Sequence, residues 1–205
     1  MSESRESTAP EVNEEAPALG RGRVLLLLVS MLIIAANGVV YELIIAGYSS
    51  FLLGDSIYQF SLTIGVFLSS MGVGSFLSRY VTRELIQAFI AVEVAIGAVG
   101  GLAILLLSAA YHLTALYPLV MFSITITLGI LIGIEIPLVT RIVKDHGSLR
   151  QVIANVLSFD YLGALAGSLA FPLLLLPTFG FTRSSLFIGL LNVLVAVINL
   201  VFPVS

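Results

Sequence analysis

Four carboxylates, Glu42, Glu93, Glu135 and Asp160, interrupt stretches of this sequence that are otherwise almost wholly apolar, and no Lys or Arg shares those stretches. An ionised acid near the centre of a bilayer costs about 2.5–3.5 kcal/mol on insertion scales, so four unpaired ones would cost about 10–14 kcal/mol, comparable to the net stability of a fold. Three reliefs exist: protonation, hydrogen bonding inside a helix bundle, or a cation supplied from outside the chain. Only the third is a function in itself. Helical spacing puts Glu93 on one face with Gly97, Gly100 and Gly101, Asp160 with Ala164 and Gly167, and Glu42 with Gly38, so all are expected to face protein rather than lipid. The alternative role for each is a neutral or hydrogen-bonded carboxyl that fixes helix register, with Tyr41, Asn37, Asn155 and Tyr161 as candidate partners. Pro137 has no N–H for the Gly133 carbonyl, and Pro172 none for that of Ser168, so freed acceptors are expected near the acids. The candidate substrate-binding set is Glu42, Glu93, Glu135, Asp160, Tyr41 and Asn37.

Other chemistries drop out. There is no Cys, hence no disulfide, thiolate metal site or Cys nucleophile, and two histidines, His112 and His146, cannot make a histidine-rich metal centre. No nucleophile stands at helical spacing from a base, so no catalytic residue, metal or cofactor is expected, and no nucleic-acid partner.

The elements that must position the acids follow from composition. Of 205 residues, 59% are hydrophobic and 10% charged, with mean hydropathy +1.11, which predicts a membrane protein. Six apolar runs, about 24–47, 57–78, 85–110, 116–140, 151–176 and 184–203, are each long enough to cross a ~30 Å hydrocarbon core. The fold class expected is an all-α, polytopic transmembrane bundle. Residues 1–23 carry Glu3, Glu6, Glu11, Glu14 and Glu15 without apolar periodicity and are expected to be a disordered acidic cytoplasmic tail preceding a transmembrane domain over 24–205. The run from Val24 is expected to stay as a signal anchor. The short connections leave no room for an extramembrane enzyme domain.

Placing the N-terminus in the cytoplasm puts Arg21, Arg23, Arg79, Arg83, Arg141, Lys144 and Arg150 at cytoplasmic ends and only Arg183 outside, so both termini are predicted to be cytoplasmic. Tyr48, Tyr58, Tyr111 and Tyr117 then fall at the outer interface, with Asp55, His112 and a turn over Pro177 to Thr182. At 1.5 Å per residue, Glu93 and Asp160 lie near the middle or cytoplasmic half, Glu135 nearer the cytoplasmic end and Glu42 towards the outside, which is no obvious ring. Glu84 and Asp145 are expected to be solvated interfacial charges. Small residues at packing intervals, Ser61, Gly65, Ser69 and Gly72, then Gly129 and Gly133, then Gly163 and Gly167, predict close helix approach. Ser185, Gly189, Asn192, Ala196 and Asn199 should line one inward face of the last span.

Tyr41-Glu42-Leu43, the stretch Ser50 to Ser56, Phe60-Ser61-Leu62, Ile64-Gly65, Met71 to Ser75 ending at Ser78-Arg79, Gly133-Ile134-Glu135-Ile136-Pro137-Leu138, and Asp160 to Leu169 with Phe171-Pro172 and Leu176-Pro177 resemble the N-terminal membrane domain of bacterial membrane-bound spermidine synthases, the polyamine aminopropyltransferases. The likeness runs from about residue 24 onward. It implies a polytopic bundle that usually precedes a cytoplasmic Rossmann-like domain joining an aminopropyl group from decarboxylated S-adenosylmethionine to putrescine. No Gly-rich nucleotide loop follows a strand in these residues, so aminopropyl transfer by this polypeptide alone is not expected. The resemblance carries over Glu42, Glu135 and Asp160 as matching motif positions and no more.

Three functions remain. The first is a polyamine-related module of the bacterial inner membrane that binds or conducts a cationic amine such as putrescine or spermidine, or tethers a cytoplasmic aminopropyltransferase. The second is a small proton- or cation-coupled transporter, as a monomer or a homo-oligomer, in which the acids are titrating relays and Pro137 and Pro172 mark discontinuous helices. The third is a structural anchor or assembly subunit whose acids are buried and neutral. The bilayer is a partner in each case.

Overall fold

A computed structural model of the chain describes residues 21–113, 116–144 and 148–202. The acidic stretch over 1–20, together with Asp145, His146 and Ser205, lies outside the described residues. Among the described residues the chain is all helix and turn: α1 Arg21–Leu53, α2 Ser56–Leu77, α3 Leu85–Tyr111, α4 Tyr117–Ile142, α5 Leu149–Ala170 and α6 Leu176–Val201. A one-turn 3-10 helix, Ser78–Tyr80, extends α2, and a π-helical turn, Phe171–Leu175, joins α5 to α6. The first helix already includes Arg21, the first described residue, and so extends outward past the apolar run that starts at Val24.

Local chemistry sets the boundaries. α1 ends where Gly54 and Asp55 take left-handed backbone (φ 75° and 46°), and the Asp55 carboxylate accepts the Tyr58 N–H at 3.1 Å to start α2. Ser148 and Gln151 form a reciprocal capping box at the head of α5, with Ser148 Oγ accepting the Gln151 N–H at 3.3 Å and Gln151 Oε1 accepting the Ser148 N–H at 3.2 Å. Pro172, with no N–H to donate, sits in the π turn, where the Leu176 N–H reaches the Phe171 carbonyl instead of one a residue later.

Five continuous helical segments are long and apolar enough to cross a membrane, the last being Leu149–Val201, 53 residues. That last segment is two arms. Gly163 and Gly167 of α5 lie on the Leu32 and Ala36 carbonyls of α1, so α5 runs parallel to α1. Asn192 and Asn199 of α6 instead meet Asn37 and Ser30, so α6 runs antiparallel to it. The reversal falls at Gly180, whose φ of 67° and ψ of −175° no other residue type adopts without strain.

Three helix pairs approach through glycine. Gly129 and Gly133 of α4 lie against backbone of Phe67 and Met71 on α2, and Gly163 and Gly167 bring α5 onto α1. On α3 and α6, a Cβ at Gly97 would stand 2.7 Å from the Gly189 carbonyl oxygen, and one at Gly189 2.6 Å from that of Gly97. With no apolar driving force between helices in lipid, such backbone approach supplies the contact energy. The face expected for the last span holds, since Ser185, Gly189, Asn192, Ala196 and Asn199 are all buried. The face expected for α2 does not. Ser61, Gly65, Ser69 and Gly72 are exposed, Gly65 and Gly72 have no atom within 4 Å of a built Cβ, and α2 turns Phe67, Ser70 and Gly74 inward. The small residues of α2 that meet α4 are Ser70 and Gly74 instead, four positions apart on the inward face.

The basic residues gather at one end of the bundle. The Arg141 guanidinium donates to the carbonyls of Ser78 and Val81, both at 2.7 Å, tying the end of α4 to the end of α2, and the Arg23 guanidinium donates to the Phe202 carbonyl. Arg183 is exposed near the Gly180 reversal. Tyr117 is not at an exposed interface as expected: it is 1% exposed, its hydroxyl 2.9 Å from Ser49 Oγ.

Candidate functional site

The buried interior has two apolar layers. One contains Val40, Tyr41, Ile96, Ile132 and Ile188, and the other contains Ile34, Phe89, Leu138 and Val195. On four helices a buried polar residue sits in the seam: Asn37 between Ile34 and Val40, Glu93 between Phe89 and Ile96, Glu135 between Ile132 and Leu138, and Asn192 between Ile188 and Val195. A polar stratum thus crosses the bundle between two greasy ones.

Within it, Glu93 of α3 and Glu135 of α4 bring their carboxyls within hydrogen-bonding reach of each other. Glu93 is 0% and Glu135 1% exposed. The Tyr41 hydroxyl, from α1, lies in electrostatic range of both carboxyls. Tyr41 is also fully buried, and its ring packs against Gly100, where a Cβ would collide with ring carbons. That glycine, one of those on the Glu93 face of α3, is what lets the tyrosine reach down beside the acids. Among the described residues, no donor from elsewhere in the bundle pairs with the Glu93 oxygens or Glu135 Oε1, and the Tyr41 hydroxyl has no hydrogen-bond partner. Buried polar atoms in native folds nearly always have partners, so three such groups left without one in the same layer mark the candidate site.

Next to it, Asn37 donates from its amide to Asn192 Oδ1, leaving Asn192 Nδ2 buried and without an acceptor. Asn192 packs on α3 at Gly97, one helical turn from Glu93. The other predicted residues stay apart. Glu42 is only half-buried and turned away from its neighbour Tyr41's cluster, and Asp160, half-buried on α5, is the more distant negative neighbour of Glu135. Asn155 is exposed and Tyr161 is 68% exposed, so neither serves as the carboxyl partner expected of it.

Depth counting underrated one meeting. Glu93 lies eight residues from the start of α3 and Glu135 seven from the end of α4, which in antiparallel neighbours is the same height, about 10–12 Å from one end of the bundle. For Asn192 the sequence implies packing alone. Its signal was present in the 4-3-4-3 spacing of the last span, but nothing in one sequence says which helix it meets. Among the described residues, no group of three or more His, Asp or Glu side chains could hold a metal ion.

The chain is similar to bacterial polyamine aminopropyltransferases. It is 43% identical over 170 residues to the polyamine aminopropyltransferase of Leptospira interrogans, covering 83% of this chain and 34% of that one. It is 41% identical over 192 residues to polyamine aminopropyltransferase 1 of Ralstonia nicotianae (92% and 36%), and 38% identical over 198 residues to polyamine aminopropyltransferase 1 of Streptomyces coelicolor (96% and 37%). The chain spans about a third of the length of the curated relatives it matches. No family model matches the sequence, and no solved structure matches it.

Proposed function

We propose, because the chain is a homologue of bacterial polyamine aminopropyltransferases over most of its length, that it is a membrane-embedded module that binds a cationic amine of the putrescine or spermidine class. The observation that carries this reading is the facing carboxyls of Glu93 and Glu135, fully buried, with the Tyr41 hydroxyl in electrostatic range and no basic side chain among the described residues acting on them. A primary ammonium has three N–H donors and one positive charge, which matches two carboxyls and a hydroxyl oxygen, and attraction between opposite charges is strongest where water is excluded. A polyamine's further ammonium groups have Glu42 or Asp160 as additional acidic neighbours at the edge of the bundle.

In this reading the chain crosses the bacterial inner membrane six times, with the arms on either side of Gly180 counted separately and both ends on the cytoplasmic face. The clustering of basic residues at one end supports that sidedness. From there the module would stand where a cytoplasmic aminopropyltransferase domain could receive the amine, or a second copy could pair with it.

The test is binding of putrescine and spermidine to the purified chain in lipid nanodiscs, with Glu42→Gln, Glu93→Gln, Glu135→Gln and Asp160→Asn in parallel. Affinity should fall about tenfold or more for Glu93→Gln and Glu135→Gln, the loss of one charge-assisted hydrogen bond of about 1.5–3 kcal/mol. It should fall least for Glu42→Gln. Equal affinity in all four variants defeats the proposal.

A further inference from the structure

We infer that the Glu93–Glu135 pair is a proton-for-cation exchange site: empty, the two carboxyls share a single proton, and an entering ammonium takes the proton's place and expels it. The inference rests on the amine-binding reading above and adds to it the ion that must move in the opposite direction.

The geometry leads there in two steps. Two carboxyl oxygens at hydrogen-bonding reach have only lone pairs to offer unless a hydrogen lies between them. Two charges of the same sign at that separation, in a site closed to water, repel by far more than a folded protein tolerates without a counter-charge. Among the described residues no positive side chain acts on them. The groups facing the pair are Tyr41 from α1 and, farther off, Asp160 from α5, and the adjoining polar residue of α6 is the uncharged Asn192. A single negative charge over the pair, balanced by one shared proton, is therefore the empty state.

The exchange balances. A protonated amine arrives with charge +1, the shared proton leaves with charge +1, and both carboxylates then accept N–H donors from the ammonium, with no covalent bond made or broken beyond the O–H that is lost. The net charge inside the two apolar layers is the same before and after, so the cost of burying charge in the bundle is not incurred twice. Tyr41 adds a buried, unpartnered hydroxyl in electrostatic range of both carboxyls, an oxygen for which the proton has no use and the larger ammonium does. The unpartnered hydroxyl is idle in the empty form and occupied in the loaded one.

The experiment uses the whole chain in nanodiscs and two readouts. Infrared difference spectra on adding spermidine should show loss of the protonated-carboxyl C=O band and gain of carboxylate bands. Calorimetry in two buffers of different ionisation enthalpy should show close to one proton released per amine bound. Binding without proton release overturns the exchange and leaves the amine-binding reading standing, whereas no binding at all overturns both. In Glu93→Gln the amide N–H satisfies Glu135 directly, no shared proton remains, and release should fall to zero with whatever binding persists. A Glu93→Gln protein that still releases a proton overturns the assignment. Glu84→Gln, at an exposed acid before α3 that takes no part in the site, should release as the parent does, and loss of release there would move the exchanging group away from the pair. The infrared band of the unaltered protein answers the question even if a variant fails to fold.

Discussion

At the scale of single residues, the seam between the two apolar layers contains two kinds of polar contact with opposite responses to substitution. Tyr41 has a buried hydroxyl with no partner. Deleting it removes a desolvated group that gains nothing in the empty protein, so Tyr41→Phe should leave thermal stability unchanged or slightly raised while weakening amine binding about five- to tenfold, the worth of one hydrogen bond of about 1 kcal/mol. Thermal unfolding in detergent and amine titration of the same preparation separate the two effects. Asn37 is the reverse case, because its amide is what satisfies Asn192 Oδ1. Asn37→Ala should cost about 1–2 kcal/mol, and Asn37→Leu combined with Asn192→Leu should recover most of it, since removing both partners leaves nothing stranded. The acids themselves could be picked out of the sequence, because charge inside an apolar run announces itself through its cost. Their pairing could not. Glu93 and Glu135 are 42 positions apart, and only the antiparallel stacking of α3 on α4 turns two separate liabilities into one site.

At the scale of elements, glycine decides which helices touch. Gly74 and Gly72 lie two residues apart on α2, yet a Cβ at Gly74 would fall on the Ile130 backbone of α4 while one at Gly72 would meet nothing within 4 Å. Gly74→Ala should therefore destabilise the protein by about 1–3 kcal/mol through forced separation of α2 and α4, and Gly72→Ala should be neutral or slightly stabilising through better helix propensity. The unfolding midpoints of the two variants, compared side by side, check this; equal midpoints would mean that α2 and α4 are not in backbone contact. The sequence pattern identified the small-residue intervals of α4, α5 and α6 correctly and misplaced that of α2. Periodicity marks which residues share a face and is silent on whether a partner covers it. Arg141 was legible only as a positive end-marker, whereas folded it is a tie, its guanidinium donating to three carbonyls at Ser78, Val81 and Pro137. Lysine carries the charge but not the planar fork, so Arg141→Lys should lower the unfolding midpoint although any charge-based topology is unchanged.

At the scale of the whole molecule, the open question is how the 53-residue segment Leu149–Val201 meets the bilayer. As one straight helix it would be about 80 Å long, more than twice the hydrocarbon thickness. The pairing registers exclude that shape, since α5 runs with α1 and α6 runs against it. The six runs seen in the sequence already suggested two arms there, with hydropathy alone unable to say whether the turn over Pro177 to Thr182 was sharp enough; the positive φ of Gly180 makes it so. If the arms are separate crossings, Arg183 and Lys144 must lie on opposite sides of the membrane. The absence of Cys from the sequence makes this directly measurable. Single-cysteine proteins carrying Lys144→Cys or Arg183→Cys, in intact cells treated with an impermeant thiol reagent, should label only at 183, and inverted membrane vesicles should label only at 144. Labelling of both from the same side would remove the sixth crossing. It would also detach α6, and with it Asn192, from the antiparallel pairing that completes the polar layer around Glu93 and Glu135, so the same measurement bears on the site as well as on the fold.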